Sequence, residues 1–215
     1  AVCSVQLAFL EDWYWATESL PALCWQPKAI SETGIDALIL PTGPADKSDS
    51  CTLIYLHLIN MATQQLWIVS PYFVPDQVII TALTLASLRG VDVRIMLPRT
   101  PDNLLVQWSS RVYLKELISA GVGVYYYKKG FLHQKVSLID NLYATVGSPN
   151  LDNRSFRLNF EVTSLIVDEA FNQEMEAMFE ADFAHAVPIE ADYYEKQPFW
   201  WRLAVNLSRL ASPVL

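Results

Sequence analysis

The chain alternates short apolar runs of strand length with longer segments whose apolar residues recur at helical spacing. The clearest helix starts after Asp76, a favoured N-cap residue, and its apolar positions 79, 82, 83 and 86 share one face until Gly90 ends it. Strand-like apolar runs stand on either side of this helix, at 66–70 and 91–97. This alternation predicts an α/β fold with a β-sheet covered by helices on both faces.

Further segments of both kinds follow the same two patterns. We predict helices over 51–64, over about 104–120, after Asp168 and over 198–210, and strands over 37–40, 122–127, 132–139, 143–147 and 158–167. The strands at 132–139 and 143–147 are separated by Asp140 and Asn141, which are turn residues, so they form a hairpin. A hairpin among helix-linked strands makes the predicted β-sheet mixed.

Composition narrows the possible functions. The 215 residues suit one large domain, or one with a small appendage, and the 52% apolar residues provide a substantial core. The net charge of −8 argues against an extended nucleic-acid surface but not against a small basic pocket for one phosphate. Cys3, Cys24 and Cys51 lack metal-type spacing, so we expect no metal and no cofactor. No apolar run approaches the length of about 18 residues that a membrane-spanning helix needs.

His133 and Lys135 form the chemically most informative pair. They stand two residues apart in a predicted strand, where side chains at i and i+2 share one face. An unprotonated imidazole can act as a nucleophile at neutral pH, and the ammonium beside it suits a phosphate group. Together they suggest attack on a phosphodiester without a metal, although a lone His-x-Lys pair in a strand usually has no catalytic role.

A longer pattern surrounds this pair. It continues with Asp140, with the run GSPN at 147–150, and with Glu161 eleven residues after Asn150. The pattern resembles the HKD motif of the phospholipase D superfamily, and it is most similar to the branch of bacterial cardiolipin synthases. The segments that carry this resemblance lie at 12–17, 43–46, 70–76, 130–135, 146–161 and 209–215. The resemblance therefore spans nearly the whole chain.

The resemblance implies a catalytic role for each motif residue. His133 would attack phosphorus and form a phosphohistidine, with Lys135 and the Asn150 amide bound to phosphate oxygens. Glu161 would accept a hydrogen bond from one ring nitrogen of His133 and so fix its tautomer. The HKD pattern also includes Asp140. Strand parity points this carboxylate away from the histidine, so we expect it to brace the turn.

Four further residues are predicted to bind substrate. Ser148 and the backbone at Gly147 would add hydrogen-bond donors, and a glycine permits close approach. Tyr72 and Phe73 follow a strand end, where α/β sheets place ligands, and the corresponding family segment lies near the active site. Core packing is an equally open interpretation for Phe73.

Members of the family bring two HKD motifs together, whereas this chain contains one. The resemblance therefore implies the C-terminal half of a phosphatidyltransferase that converts two phosphatidylglycerols into cardiolipin and glycerol. Its partners would be the N-terminal HKD half of the same protein, the phospholipid substrate and the bacterial inner membrane. It would reach the membrane through segments missing from this chain. Nucleic acid would not be a partner. Residues 1–35 would be the tail of the preceding half and a crossing segment, 36–190 the phospholipase D-like domain, and 191–215 a C-terminal helical segment.

Other interpretations stay open at this point. A homodimer with one motif per copy would pair two His133 residues and act as a phosphodiesterase or nuclease, or as a phospholipase D-type hydrolase. A nuclease would need a basic groove, which the composition does not support. A non-enzymatic domain for assembly or membrane attachment would not require an intact set of motif residues. The final predicted helix could pack on the domain, contact the other half or lie at a membrane interface.

Overall fold

The computed structural model describes residues 1–28, 34–100 and 104–208. These residues form seven α-helices and ten β-strands. In chain order they are α1 (Val2–Thr17), β1 (Asp36–Thr42), α2 (Ser50–Met61), β2 (Gln65–Val69), β3 (Phe73–Val74), α3 (Gln77–Leu88), β4 (Asp92–Pro98), α4 (Leu104–Ser119), β5 (Gly123–Tyr127), β6 (Val136–Ile139), β7 (Tyr143–Gly147), β8 (Leu151–Asp152), α5 (Asn153–Arg157), β9 (Glu161–Val167), α6 (Glu169–Phe183), β10 (Ala186–Pro188) and α7 (Phe199–Ser208).

Eight of the strands form one mixed sheet, in the order β1-β9-β7-β6-β2-β4-β5-β10. Strands β2, β4 and β5 run parallel to one another, and the other neighbouring pairs are antiparallel. The parallel part follows from the crossovers through α3 and α4, because parallel neighbours need long connections. Strands β1 and β10 are the two outer strands of the sheet, and β3 pairs with β8 in a separate parallel ribbon.

Alternate side chains of the central strands pack into two cores, one on each face of the sheet. Leu66 and Ile68 of β2 join the core formed with α2, α3 and α4. Trp67 and Val69 join the core formed with α6 on the other face. A strand covered on both faces is apolar throughout, which explains the continuous apolar run in β2. The predicted fold, a mixed sheet flanked by helices on both faces, is therefore confirmed.

The strand that was predicted over 132–139 is shorter in the structure. Strand β6 begins at Val136, which pairs with Val69, the last residue of the neighbouring β2. Because β2 ends there, the preceding residues have no strand to pair with on that side. His133 and Lys135 consequently lie in an irregular segment before β6 rather than within the strand.

The strand that was predicted over 158–167 begins later, at Glu161. A short helix, α5, occupies the residues before it. Asp152 caps that helix by accepting from the Ser155 N–H over 2.6 Å. The chain leaves the helix only at Leu158, whose N–H still bonds back into it.

Sequence patterns missed the first helix and the shortest elements. Helix α1 contains no buried residue, and its apolar residues do not form a face that contrasts with a polar one. Strands β3, β8 and β10 contain two or three residues each, which is too few for a period of two to be recognised.

The two end helices attach to the domain in different ways. Helix α7 packs on α4, where the buried Ser109 hydroxyl donates to the Ser208 carbonyl oxygen over 2.8 Å. Helix α1 is tied to the segment that follows it by a hydrogen bond from Gln6 Nε2 to the Cys24 carbonyl oxygen, 3.0 Å long. The predicted end of the last helix, at 209–210, lies outside the described residues. Of the described helices, none is both long enough and apolar enough to cross a bilayer.

Asp140 braces the turn between β6 and β7. One carboxylate oxygen accepts from the N–H and the hydroxyl of Thr63, each over 2.7 Å, and the other accepts from the N–H groups of Gln64 and Gln65, each over 2.8 Å. Its backbone is left-handed, with a φ of 51°, which aspartate tolerates. It lies at the opposite end of β6 from His133. The bracing role expected from strand parity is present, and Asp140 does not share the candidate site with His133.

These donors also determine the charge state of the carboxylate. Partial burial acts to raise the pKa of Asp140, but the N–H groups of Gln65 and Gln64 and both donors of Thr63 outweigh it and hold the pKa below its ordinary value. The carboxylate is therefore ionised at neutral pH and accepts all four hydrogen bonds at full strength.

We expect Asp140→Asn to destabilise the fold at about pH 7, by about 2 kcal/mol, because an amide has one acceptor oxygen and turns an NH2 group toward N–H donors. Since the pKa of Asp140 is lower in the folded state, the contribution is present above the ordinary value of about 3.9 and is lost as the pH falls through the folded-state pKa. Thermal denaturation at several pH values measures this, with the exposed Asp36→Asn as the control. A difference in stability between Asp140→Asn and the unaltered chain that stays constant down to low pH would contradict the lowered pKa of Asp140.

Candidate active site

His133 and Lys135 come together in the irregular segment that precedes β6. The Lys135 Nζ atom lies 3.4 Å from Nδ1 and 3.3 Å from Nε2 of the His133 ring, and it donates to the His133 carbonyl oxygen over 3.1 Å. His133 is exposed and Lys135 is half-buried. The two side chains therefore converge, as their spacing predicts, although the segment is not a regular strand.

The neighbours of His133 hold this segment extended. The Phe131 ring stacks on the imidazole with a centroid distance of 5.4 Å and an interplanar angle of 16°. Leu132 is buried in the core that packs against α6, and Gln134 Nε2 donates to a carboxylate of α6 over 3.2 Å. Residues thus alternate between the solvent side and the core side. This alternation preserves the relation between positions i and i+2 beyond the end of the sheet ladder.

Gly147 connects the two parts of the motif. Its N–H donates to the Lys135 carbonyl oxygen over 3.1 Å, and the next N–H, of Ser148, donates to the Val162 carbonyl oxygen over 2.9 Å. A Cβ atom at Gly147 would lie 2.7 Å from that Val162 oxygen and 3.0 Å from Thr163 Cα, so no side chain fits there. The close approach expected at this glycine is therefore made by β9 and not by a substrate.

Glu161 belongs to the Ser148 side of the site. The Ser148 hydroxyl donates to one oxygen of the Glu161 carboxylate, and Asn159 Nδ2 donates to the other over 3.1 Å. The Ser148 Oγ atom in turn accepts from the Val162 N–H over 2.9 Å. Within the described residues no hydrogen bond joins Glu161 to His133, which corrects the predicted contact. The carboxylate faces Ser148 and Asn159 instead.

Asn150 lies at the end of the same turn. Its N–H and its Nδ2 atom both contact the Ser155 Oγ atom, at 3.0 and 3.4 Å. An amide NH2 carries two hydrogens, so one stays available for a phosphate oxygen. The Oδ1 atom is buried and accepts no hydrogen bond in the part of the chain that the structure describes.

Ser70 holds the segment after β2 against β8. Its Oγ atom accepts from the Leu151 N–H over 3.1 Å and donates to the Tyr72 carbonyl oxygen over 2.7 Å. Phe73 pairs with Leu151 and is 1% exposed within the core, so its prediction as a substrate contact is wrong. Tyr72 is half-buried and packs partly against the same core.

Sequence reasoning missed the side chains that hold the motif in place. They are Ser70, Ser155, Asn159 and Phe131. Serine and asparagine near strand ends are too common to be distinguished by pattern alone. The position of Phe131, two residues before His133 in an extended segment, could have indicated the ring stack.

The β9 side of the site is acidic. A cavity of about 770 Å³ lies between α1 and the Ser148–Glu161 pair, and its other charged lining residues are Glu11, Asp12 and Asp46. Carboxylates repel a phosphate diester, so this acidic cavity does not suit one. Burial raises the pKa of the nearby Cys51 thiol to about 12, and the surrounding carboxylates act in the same direction. That thiol stays protonated at neutral pH and is not a competing nucleophile.

Comparison with known proteins shows the family of the chain. Residues 55–183 match the family model described as "Cardiolipin synthase, PLD-like domain". The chain belongs to this family. Cardiolipin synthase A of Pseudomonas aeruginosa (strain UCBPP-PA14) is 49% identical over 215 residues, and that of Pseudomonas entomophila (strain L48) is 46% identical over 211 residues, or 98% of this chain. The matched region is 44% of each relative, so the chain spans less than half the length of these relatives.

Solved structures of low sequence identity share the fold of this PLD-like domain. Nuc from Salmonella typhimurium, a phospholipase D family member, superposes with a TM-score of 0.62 at 18% identity and covers 72% of this chain and 99% of its own. Phosphatidylserine synthase from Haemophilus influenzae Rd KW20 superposes with a TM-score of 0.66 at 17% identity, over 92% of this chain and 50% of its own. At these identities the likeness concerns the fold.

We expect Gly147→Ala to destabilise the PLD-like domain by about 1–3 kcal/mol, because the new methyl group overlaps backbone atoms of β9 that cannot move aside. Urea denaturation measures the loss as a lower midpoint with an unchanged slope. Gly34→Ala is the matched control, since a Cβ atom there has no atom within 4 Å. Equal urea midpoints for the two variants would show that β7 and β9 can move apart at Gly147 without a loss of stability.

Proposed function

We propose that this PLD-like domain supplies the second of two HKD half-sites of a phosphatidyltransferase that makes cardiolipin and glycerol from two phosphatidylglycerols. The observation that carries the proposal is the His133–Lys135 pair, in which an exposed imidazole lies within 3.4 Å of an ammonium. Family membership supports the choice of a phosphatidyl group as the transferred unit. The cardiolipin synthase A relatives, more than twice as long as this chain, support a second half-site elsewhere in the protein.

In the first step, an unprotonated ring nitrogen of His133 attacks the phosphorus of one phosphatidylglycerol. A P–N bond forms, the P–O bond to the headgroup glycerol breaks, and the leaving oxygen takes a proton from a general acid. We assign that acid to the histidine of the other half-site. The products of this step are a phosphatidyl-histidine and free glycerol.

In the second step, a hydroxyl of another phosphatidylglycerol attacks the phosphohistidine. The P–N bond breaks, a new P–O bond forms, and the hydroxyl proton passes to the other histidine, which the first step has left unprotonated. Both histidines return to their starting states. A site that favours an alcohol over water must be shielded from solvent, which fits a position against lipid.

The remaining motif residues assist these steps in two ways. The Lys135 ammonium, beside the nucleophile, stabilises the negative charge that builds up on the phosphate oxygens, and the unused hydrogen of Asn150 Nδ2 binds another of them. Ser148 and Glu161 are positioning residues, because the Ser148 hydroxyl is donated to Glu161. Their contact fixes the turn that carries Asn150.

The proposal also covers where the protein works and how its chain divides into segments. Its substrates are membrane lipids, so we propose that it works at the bacterial inner membrane, anchored through segments outside this chain, with no nucleic acid as a partner. The net charge of −8 supports the last point. We retain 1–35, 36–190 and 191–215 as the proposed end of the preceding half, the catalytic half-domain and the C-terminal helical segment.

We expect His133→Ala in the complete protein to lower the rate of cardiolipin formation by roughly 10³-fold or more, because the nucleophile is removed. Lys135→Gln removes charge stabilisation alone and is expected to cost roughly 10²–10³-fold. Mass spectrometry of cardiolipin and glycerol formed from phosphatidylglycerol measures both rates. His57→Ala, on the exposed side of α2, is the control and should keep full activity. Near-normal turnover by His133→Ala would remove this histidine from the mechanism.

The 215-residue chain alone is expected to be an inactive monomer, because one half-site has a nucleophile but no general acid. Analytical ultracentrifugation and a phosphatidylglycerol turnover assay on the purified chain measure the two properties. A dimer with turnover that disappears in His133→Ala would replace this proposal with a homodimeric enzyme. Turnover that appears only when the first half-site is added would support it.

A further inference from the structure

Three cations surround a small pocket between α4 and α7. The pocket has a volume of about 80 Å³ and is lined by Arg111 and Lys115 of α4, by Arg202 and Trp201 of α7, and by Tyr194 from the loop between β10 and α7. No carboxylate is among its lining residues in the part of the chain described. It shares no residue with the candidate active site or with the acidic cavity beside it.

Among the described residues, no ion pair neutralises the charges of this pocket. The salt bridges of the described residues use Arg94, Arg157 and Lys196, and none involves the three pocket cations. The chain has 15 basic residues against 23 acidic ones. Three unneutralised cations around one concavity therefore form a local positive field on an otherwise acidic protein, which favours an anion there.

Two buried polar atoms point to the same kind of ligand. The Arg111 Nε atom and the Tyr194 hydroxyl are buried and have no hydrogen-bond partner among the described residues. Burial raises the pKa of Tyr194, so this hydroxyl keeps its proton and can donate. Both groups thus lack an acceptor, and phosphate oxygens are strong acceptors. The Arg111 guanidinium is already oriented, because it stacks 4.9 Å from the centre of the Trp201 ring.

The outer face of α7 adds an apolar surface next to this pocket. Val205 and Ser208 face the domain and are buried. On the outside, Phe199 and Trp200 are 73% and 67% exposed, and Leu203 and Leu207 continue the same apolar face. A helix with exposed aromatic and leucine side chains beside cations suits the boundary between lipid headgroups and acyl chains. A free phosphate would explain the cations but not the exposed rings.

We propose that the pocket between α4 and α7 binds the phosphate of an anionic phospholipid at a bilayer surface, with the outer face of α7 against the acyl-chain region. This is a second lipid contact, separate from the His133 site. The choice of a lipid over a soluble phosphate rests on the proposed function, since a transferase of lipids works at a lipid surface.

The test is sedimentation of the 215-residue chain with vesicles of phosphatidylglycerol and phosphatidylcholine at fixed ionic strength. The double variant Lys115→Gln with Arg202→Gln is expected to bind roughly 30-fold more weakly, since each cation at an anionic surface contributes about fivefold. Both side chains are exposed, so the fold should be kept, and circular dichroism checks this. The matched control is Lys128→Gln with Lys129→Gln, two exposed cations outside the pocket, which should bind nearly as the unaltered chain does.

Three further measurements identify the ligand. Phe199→Ser with Trp200→Ser should weaken vesicle binding, because the apolar contact is removed, and vesicles of phosphatidylcholine alone should bind poorly. An equal loss of vesicle binding in the pocket double variant and in the control double variant would overturn the proposal in favour of general charge attraction. Binding of inorganic phosphate without vesicle binding would overturn it in favour of a soluble anion.

The catalytic proposal is tested by a different measurement. A failure of the lipid pocket therefore appears in sedimentation, and a failure of the phosphatidyl-transfer mechanism appears in product formation.

Discussion

The close passage of β7 beside β9 at Gly147 is the constraint on which the candidate site depends. Because no side chain fits at this residue, its N–H reaches the Lys135 carbonyl oxygen while the following Ser148 meets Glu161. Two parts of the motif that are distant in the chain are thereby fixed by the hydrogen bonds of one sheet. The two parts of the candidate site are positioned through the backbone, so the Ser148–Glu161 pair needs no direct contact with the His133–Lys135 pair.

The parts of the structure that the sequence predicts are those set by local geometry. The relation between His133 and Lys135 follows from two-residue alternation, which any extended segment has, inside a sheet or beyond it. The layered α/β fold follows from the alternation of helical and strand patterns. The length of β6 does not follow, because it depends on where the neighbouring β2 ends, at Val69, and no pattern within β6 records that position.

Asp140 and Glu161 show more clearly which contacts the sequence does not predict. Parity along the strand was enough to separate Asp140 from His133, but its donors come from Thr63 to Gln65, which only the folded chain brings near. For Glu161, the fold decides which donors face the carboxylate. Those donors are Ser148 and Asn159, and neither the motif nor its spacing ranks them above His133.

The outer strands of the sheet have a consequence for how such domains meet. Both β1 and β10 contain a proline, Pro41 and Pro188 respectively. Proline has no N–H to offer a further strand, so each edge discourages growth of the sheet into a neighbouring molecule. Fibrous edge-to-edge stacking is thereby opposed even where a half-domain stands alone. Two such domains would instead join through side-chain surfaces, and each would keep its own separate sheet.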